Sequence, residues 1–129
     1  MKTEQKLIMV VDDNEFDTFF TGKLIQTTSF SNRIIEFDSA KNALNYLRSA
    51  SEKEEEIPSH IFLDIYMPLM NGFEFFEEFK QLPSSVTNST KLIFTSTTVN
   101  DDYKLKIKKL SNKCLFTSKP LTQEFLKTL

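Results

Sequence analysis

Short apolar runs alternate along this chain with stretches in which apolar side chains recur every third or fourth position. Leu7-Ile8-Met9-Val10-Val11 has no polar alternate, which suits a strand covered on both faces, as in a parallel sheet. After Asp12-Asp13-Asn14 come Phe16, Phe19, Phe20 and Leu24 at i, i+3, i+4 and i+8, one stripe of a helix. Arg33-Ile34-Ile35-Glu36-Phe37 reads as a second strand; Asp38 or Ser39 then caps a helix lined by Ala40, Ala43, Leu44 and Leu47. A charged connector from Ser51 to Glu56, broken by Pro58, leads into a third strand, His60-Ile61-Phe62-Leu63, that ends at Asp64. Pro68 delays the return to regular structure. Asn71-Gly72 opens a third helix, with Phe73, Phe76, Phe79 and Leu82 spaced three apart and Phe75 widening the stripe. Pro83 to Thr90 reads as polar loop, and Lys91 to Ser96 as a fourth strand. A cap at Asn100 or Asp101 is expected to start a fourth helix lined by Tyr103, Ile107 and Leu110. Cys114-Leu115-Phe116-Thr117 is the fifth strand, Lys119-Pro120 a turn, and Thr122 to Leu129 a last short helix.

Strand and helix thus alternate five times without internal repeat or linker, the signature of a doubly wound α/β sheet in a single domain over residues 1–129. In such sheets a ligand site lies at the carboxyl ends of the strands, near the topological switch point. Composition agrees: 129 residues with 40% apolar and 26% charged side chains exclude disorder and suffice for one buried core. Thirteen Phe and no Trp make phenyl rings the main packing units, so the phenylalanine stripes are expected to be core. Sixteen basic against 18 acidic side chains give a net charge of -2, which leaves no global basic field for a nucleic acid or an anionic membrane. The single Cys114 can close no intramolecular disulfide and build no thiolate cage, and is expected to be a small buried hydrophobe. Leu7 to Val11 is too short for a signal core or a membrane span, so a cytoplasmic location is expected.

What the strands deliver at their carboxyl ends changes the picture. Strand one brings Asp12 and Asp13, strand three Asp64, strand four Thr95 and Ser96, and strand five Lys119. Clustered carboxylates repel one another and call for a cation. Hard oxygen ligands with room for water suit Mg2+, which also bridges to phosphate oxygens. A lysine point charge and a hydroxyl donor serve a phosphoryl group's remaining oxygens, and a carboxylate can itself be the nucleophile that carries an aspartyl phosphate. There is no Gly-rich phosphate loop, no G-x-S-x-G elbow and only one histidine, so nucleotide hydrolysis and triad chemistry lack their parts.

Val10-Val11-Asp12-Asp13-Asn14, the stretch Leu63-Asp64-Ile65-Tyr66-Met67-Pro68-Leu69-Met70-Asn71-Gly72 and Lys119-Pro120-Leu121, in that order, resemble the receiver domain of two-component response regulators (CheY-like) across essentially the whole chain. The resemblance implies a flavodoxin-like sheet of order 2-1-3-4-5 with five helices. It implies that Asp64 accepts a phosphoryl group from the phosphohistidine of a sensor histidine kinase or phosphotransfer protein. Asp13 would ligate Mg2+ directly, with Asp12 supporting through water, alongside the Asp64 carboxylate and the Tyr66 backbone carbonyl. Lys119 would pair with Asp64 and then with the phosphoryl oxygens, and the Lys119-Pro120 bond falls where the family commonly has a cis peptide. Ser96, rather than Thr95, would be the switch hydroxyl, with Phe116 swinging inward behind it. The change would be read by a downstream protein on the face of helix four, strand five and helix five.

Two positions depart from the family pattern. Phe116 stands where Tyr is common, and a bulky Tyr66 lies two past the acceptor, where phosphoryl lifetime is tuned. The chain stops ten residues after Lys119, so a stand-alone receiver without enzymatic or DNA-binding output is expected. A Mg2+-dependent phosphatase using Asp64 is the enzyme alternative, but it needs a carboxylate where Tyr66 stands and a cap insertion. A degenerate receiver acting as a scaffold is the third reading. Taken singly, Asp12, Asp13 and Asp38 could be plain helix caps. His60 is expected to be structural, the lysines of helix four a solvated face, and Leu105, off the Tyr103 stripe, an exposed partner contact.

Overall fold

The computed structural model describes residues 6–97, 101–111 and 113–129. Its strands are β1 (Leu7–Val11), β2 (Arg33–Phe37), β3 (His60–Asp64), β4 (Lys91–Ser96) and β5 (Cys114–Ser118), all parallel in the order β2-β1-β3-β4-β5. The helices are α1 (Glu15–Thr27), α2 (Ala40–Ala50), α3 (Gly72–Phe79), α4 (Ser84–Thr87), α5 (Asp101–Leu110) and α6 (Gln123–Leu126), with a 3-10 turn at Glu54–Glu56. Among the described residues six helices stand where five were expected. The additional one, α4, lies in the stretch read as polar loop: a single buried residue, Val86, holds the turn to the core, too little apolar signal for a periodic pattern. The fourth and fifth helices of the sequence reading are therefore α5 and α6, and α6 stops at Leu126 rather than Leu129.

Every residue of β1 and β3 is buried, because the central strands carry helices on both faces. Successive side chains still point to opposite faces. Met9 and Val11 enter a large core with Leu63, Phe75, Phe79 and Phe94, under α2, α3 and α5. Ile8 and Val10 enter a smaller one with Ile25, Phe62, Ile93, Leu121 and Leu126, under α1 and α6. Helix starts follow local chemistry: Asn14, Ser39, Asn71 and Thr122 accept from backbone N–H groups one turn on, and Asn71 with Glu74 forms a capping box. Ser39, not Asp38, is the cap of α2. The expected cap of α5 at Asn100 or the Asp101 side chain lies outside the described residues. Cys114 is buried in β5 and Leu105 is exposed on α5, as the pattern implied. Among the described residues no helix is long and apolar enough to cross a membrane.

The α1 stripe reverses an expectation. Phe16 is 74% exposed, Phe19 64% and Phe20 38%, so these rings are surface rather than core. The face that α1 turns inward carries Thr18, Gly22 and Ile25 instead. Thr18 Oγ1 donates to the carbonyls of Asp12 (3.3 Å) and Asn14 (3.0 Å), and Asp17 is drawn to a lysine described below. Satisfying these polar groups sets the rotation of the helix and leaves the aromatics outside.

His60 opens β3 in a buried position against the edge of Phe30, with ring centroids 5.3 Å apart, and its Nδ1 lies 2.7 Å from Ser59 Oγ. Burial, aided by Lys6 and Lys91, pushes its pKa down to about 4 from 6.5. As pH falls below 6.5 the unfolded chain therefore takes the proton first, and the stability present above 6.5 is lost as pH approaches 4. From this group alone the loss is on the order of 3 kcal/mol. Urea denaturation of wild type and His60→Leu at pH 7 and pH 4.5 should show a pH dependence that is smaller in the variant; equal slopes would remove His60 as the cause.

Candidate functional site

The strand ladders bring the candidate residues to one edge. Asp64 is the last residue of β3 and lies opposite Thr95 of β4, while Ser96 lies opposite Ser118 of β5. Two backbone bonds continue these ladders past the strands: Ile65 N–H donates to Thr95 O at 2.9 Å, and Lys119 N–H to Ser96 O at 2.8 Å. The Lys119-Pro120 peptide is cis. From β1, Asp12 is buried and Asp13 exposed. Neither Asp caps α1: Asn14 does, and Asp12 Oδ1 instead accepts from Asn14 N–H at 2.9 Å.

Lys119 Nζ is the hub. It lies 2.6 Å from Asp12 Oδ2, 3.0 Å from Asp17 Oδ2 and 3.5 Å from Asp64 Oδ1, with its side chain only 11% exposed. The expected pairing with Asp64 is thus the longest of three, and the ammonium sits on Asp12 and Asp17. Asp17 was not among the sequence candidates. Its only local signal is an acid in the first turn of a helix, which is common for dipole reasons alone; its partner lies 102 residues away. Burial works against the Lys119 charge, but hydrogen bonds to Asp12 and Asp17 and the nearby carboxylates hold its pKa above the ordinary value. Asp64 is pushed up to about 6: burial raises it, Lys119 offsets part of that, Asp12 adds repulsion, and the nearby Tyr66 backbone N–H works in the lowering direction.

Asp12, Asp13 and Asp64 each offer a carboxylate oxygen, all within 4.8 Å of one another. Two are buried and one exposed, an all-oxygen set open to solvent on one side. That donor chemistry fits a hard divalent cation that keeps several waters, as Mg2+ does.

The hydroxyl candidates differ in depth: Ser96 is fully buried and Thr95 nearly so. Phe116 is half-buried on β5 and packs against the large core. The β3–α3 loop shapes the rim. Tyr66 is half-exposed, Met67 turns inward, and Leu69 adopts φ 72° inside a tight turn in which Met70 N–H donates to Pro68 O at 2.8 Å. A left-handed leucine, fully exposed, is the strained point of this loop. The loop closes where Gly72 N–H donates to Ile65 O at 2.8 Å.

A family model of the response regulator receiver domain matches residues 8–129. A two-component response regulator from Cytophaga hutchinsonii superposes with a TM-score of 0.88 at 26% identity, over 97% of this chain and 94% of that one. The receiver domain of the histidine kinase CKI1 from Arabidopsis thaliana, solved in complex with Mg2+, gives 0.75 at 26% identity over 95% and 89%. Among curated proteins, the probable methanogenesis regulatory protein FilR2 of Methanothrix harundinacea is 26% identical over 121 residues, covering 94% of this chain and 76% of its own length.

Gly72 is where the rim tolerates least. A Cβ there would meet Ile65 Cα at 3.0 Å and Asp64 O at 3.1 Å, both backbone atoms with little freedom to give way. Gly72→Ala should cost about 1–3 kcal/mol in thermal or urea denaturation. It should also displace the backbone amide resonances of residues 64–66; an unchanged midpoint would show that the loop yields freely.

Proposed function

Because the chain belongs to the response regulator receiver family, we propose that it accepts a phosphoryl group on Asp64 and relays that event through a changed protein-binding surface. The observation that carries the reading is the juxtaposition of three carboxylates and one buried ammonium at the carboxyl edge of the sheet. An Asp64 oxygen attacks the phosphorus of a donor phosphohistidine. The N–P bond breaks, its electron pair stays on the imidazole nitrogen, and that nitrogen takes a proton from solvent. Lys119, 3.5 Å from Asp64, is within reach of the arriving phosphoryl oxygens and already held in its charged form. Asp12, Asp13, Asp64 and the Tyr66 carbonyl would hold Mg2+, which when bound supplies positive charge against both the carboxylates and the phosphoryl oxygens. Ser96 is the proposed switch hydroxyl, because the β4–β5 ladder sets it beside the Lys119 backbone. Phe116, two residues before Ser118 on β5, is the proposed follower.

The chain is then a signalling module, active on its own Asp64 and without turnover of an outside substrate, and a cytoplasmic location is part of this reading. The phosphatase alternative is disfavoured by Tyr66, which supplies no carboxylate two residues past the acceptor. For partners, two surfaces are supported. Phe16 and Phe20 with Pro120 and Leu121 line a cavity of about 250 Å³ that includes Lys119. This exposed aromatic rim borders Lys119, which in turn lies 3.5 Å from Asp64, so we assign docking of the histidine kinase or phosphotransfer protein to α1. Output is assigned to the α5–β5–α6 face, where Leu105 is 57% exposed and Leu115 37%.

Intact-mass spectrometry with a small-molecule phosphodonor tests the acceptor. Wild type should gain one hydroxylamine-labile phosphoryl adduct that requires Mg2+, and Asp64→Asn should gain none while remaining folded. An adduct on Asp64→Asn, or none on folded wild type with Mg2+ present, would refute the assignment. A second measurement separates docking from chemistry: Phe16→Ser should slow transfer from a phosphorylated donor protein about tenfold or more, as loss of an aromatic interface anchor does. Labelling of the same variant by the small donor should stay at the wild-type rate.

A further inference from the structure

The loop that carries Tyr66 is tied to a distant helix by an aromatic ladder. Fully buried Phe94 of β4 stacks on Phe73 of α3, with centroids 5.7 Å apart and planes at 23°. Phe73 meets Tyr103 of α5 at 5.7 Å, and Tyr103 meets Tyr66 edge-on at 5.8 Å. The Tyr66 hydroxyl donates to that of Tyr103. Lys106, one turn along α5, lies over the other partner of this ladder, its Nζ 4.0 Å from the Phe73 ring centre. Tyr66 is 49% exposed, so little packing other than this ladder immobilises its ring. Yet its main chain lies two residues past Asp64, with the backbone N–H near enough to the carboxylate to favour its charged form. The two ends of one residue therefore face different tasks: the main chain touches the acceptor, and the side chain is held by α5.

We propose that Tyr103 is a positioning residue for the chemistry of Asp64: by holding Tyr66 it makes the lifetime of a phosphoryl group on Asp64 depend on the seating of α5. The proposal rests on the reading of Asp64 as phosphoacceptor. In hydrolysis a water oxygen bonds to phosphorus while the bond from phosphorus to the Asp64 oxygen breaks. The electron pair returns to the carboxyl group and the water proton leaves to solvent. Negative charge thus develops on the two carboxyl oxygens, where a fixed Tyr66 N–H stabilises it. Release of the Tyr66 side chain loosens that donor and slows the loss of phosphate. The coupling is reciprocal: whatever Asp64 carries biases Tyr66, and through Tyr103 the helix that presents Leu105.

Tyr103→Phe keeps the ring and its packing on Phe73 and removes only the hydroxyl, and Tyr66→Phe does the same from the other side. Phosphoryl decay should slow by about three- to tenfold in either variant, the effect of one hydrogen bond. The double variant should be no slower than each single one. Decay at or above the wild-type rate in Tyr103→Phe, or effects that multiply in the double variant, would overturn the proposal. Hydrogen exchange of the Tyr66 amide in the unmodified protein is an independent readout, expected to quicken by a similar factor in Tyr103→Phe with the thermal midpoint unchanged. Should wild type take no phosphoryl group, the acceptor reading fails on its own, and unchanged Tyr66 exchange would still count against the Tyr103 tether.

Discussion

The Lys119 ammonium, held between Asp12, Asp17 and Asp64, is the interaction on which the arrangement of the whole edge depends. Like charges brought within a few ångström at a half-buried edge repel by several kcal/mol. A single lysine at 11% exposure offsets part of that repulsion among groups delivered by β1, α1 and β3. It arrives from the turn after the last strand, so the site is complete only when the C-terminal part of the sheet is in place. The residual strain is visible in Asp64, whose carboxyl remains pushed up to about 6 even with the lysine at 3.5 Å. Burial and the neighbouring Asp12 together outweigh one ammonium.

The same polar requirement explains features that look unrelated. Helix α1 is rotated so that Asp17 meets Lys119 and Thr18 meets the Asp12 carbonyl, and three phenylalanines are left in solvent as a result. That exposed aromatic patch beside Lys119 is the surface proposed above for donor docking. On the other side of the site, the β3–α3 loop places a left-handed Leu69 in the open and a glycine where no Cβ fits. Both departures from good local geometry lie within eight residues of Asp64, as expected where strain is retained for function. The rest of the molecule obeys ordinary rules: alternating strand residues fill two cores, and polar caps start the helices.

Aromatic residues divide along the same line. Phe62, Phe75 and Phe94 are fully buried and form the mass of the two cores. Phe73 and Tyr103, both partly buried, and the half-exposed Tyr66 form a path from that core to the rim. This path links the buried interior to the β3–α3 loop that follows Asp64.

Much of this was legible in the sequence because it depends on local chemistry. The five strands announced themselves as short apolar runs, the helix starts as Asp38-Ser39 and Asn71, and the edge residues Asp12, Asp13, Asp64, Thr95, Ser96 and Lys119 by their position at or just past the strand ends. A parallel sheet sends all carboxyl ends to one side, so strand order in the chain is enough to gather them. What depended on distant partners was not legible. The outward turn of Phe16, Phe19 and Phe20 follows from an ion pair that spans 102 residues, and a periodic stripe alone cannot say which of two faces meets the sheet. Asp17 carried no signal beyond that of an acid in a helix's first turn, α4 carried one apolar residue, and the Tyr66–Tyr103 pair joins positions 37 apart through two hydroxyls that leave no pattern. Periodicity reports how a segment can bury its own apolar face; only the folded chain decides which charges must be neutralised, and here that decision rotated the helix.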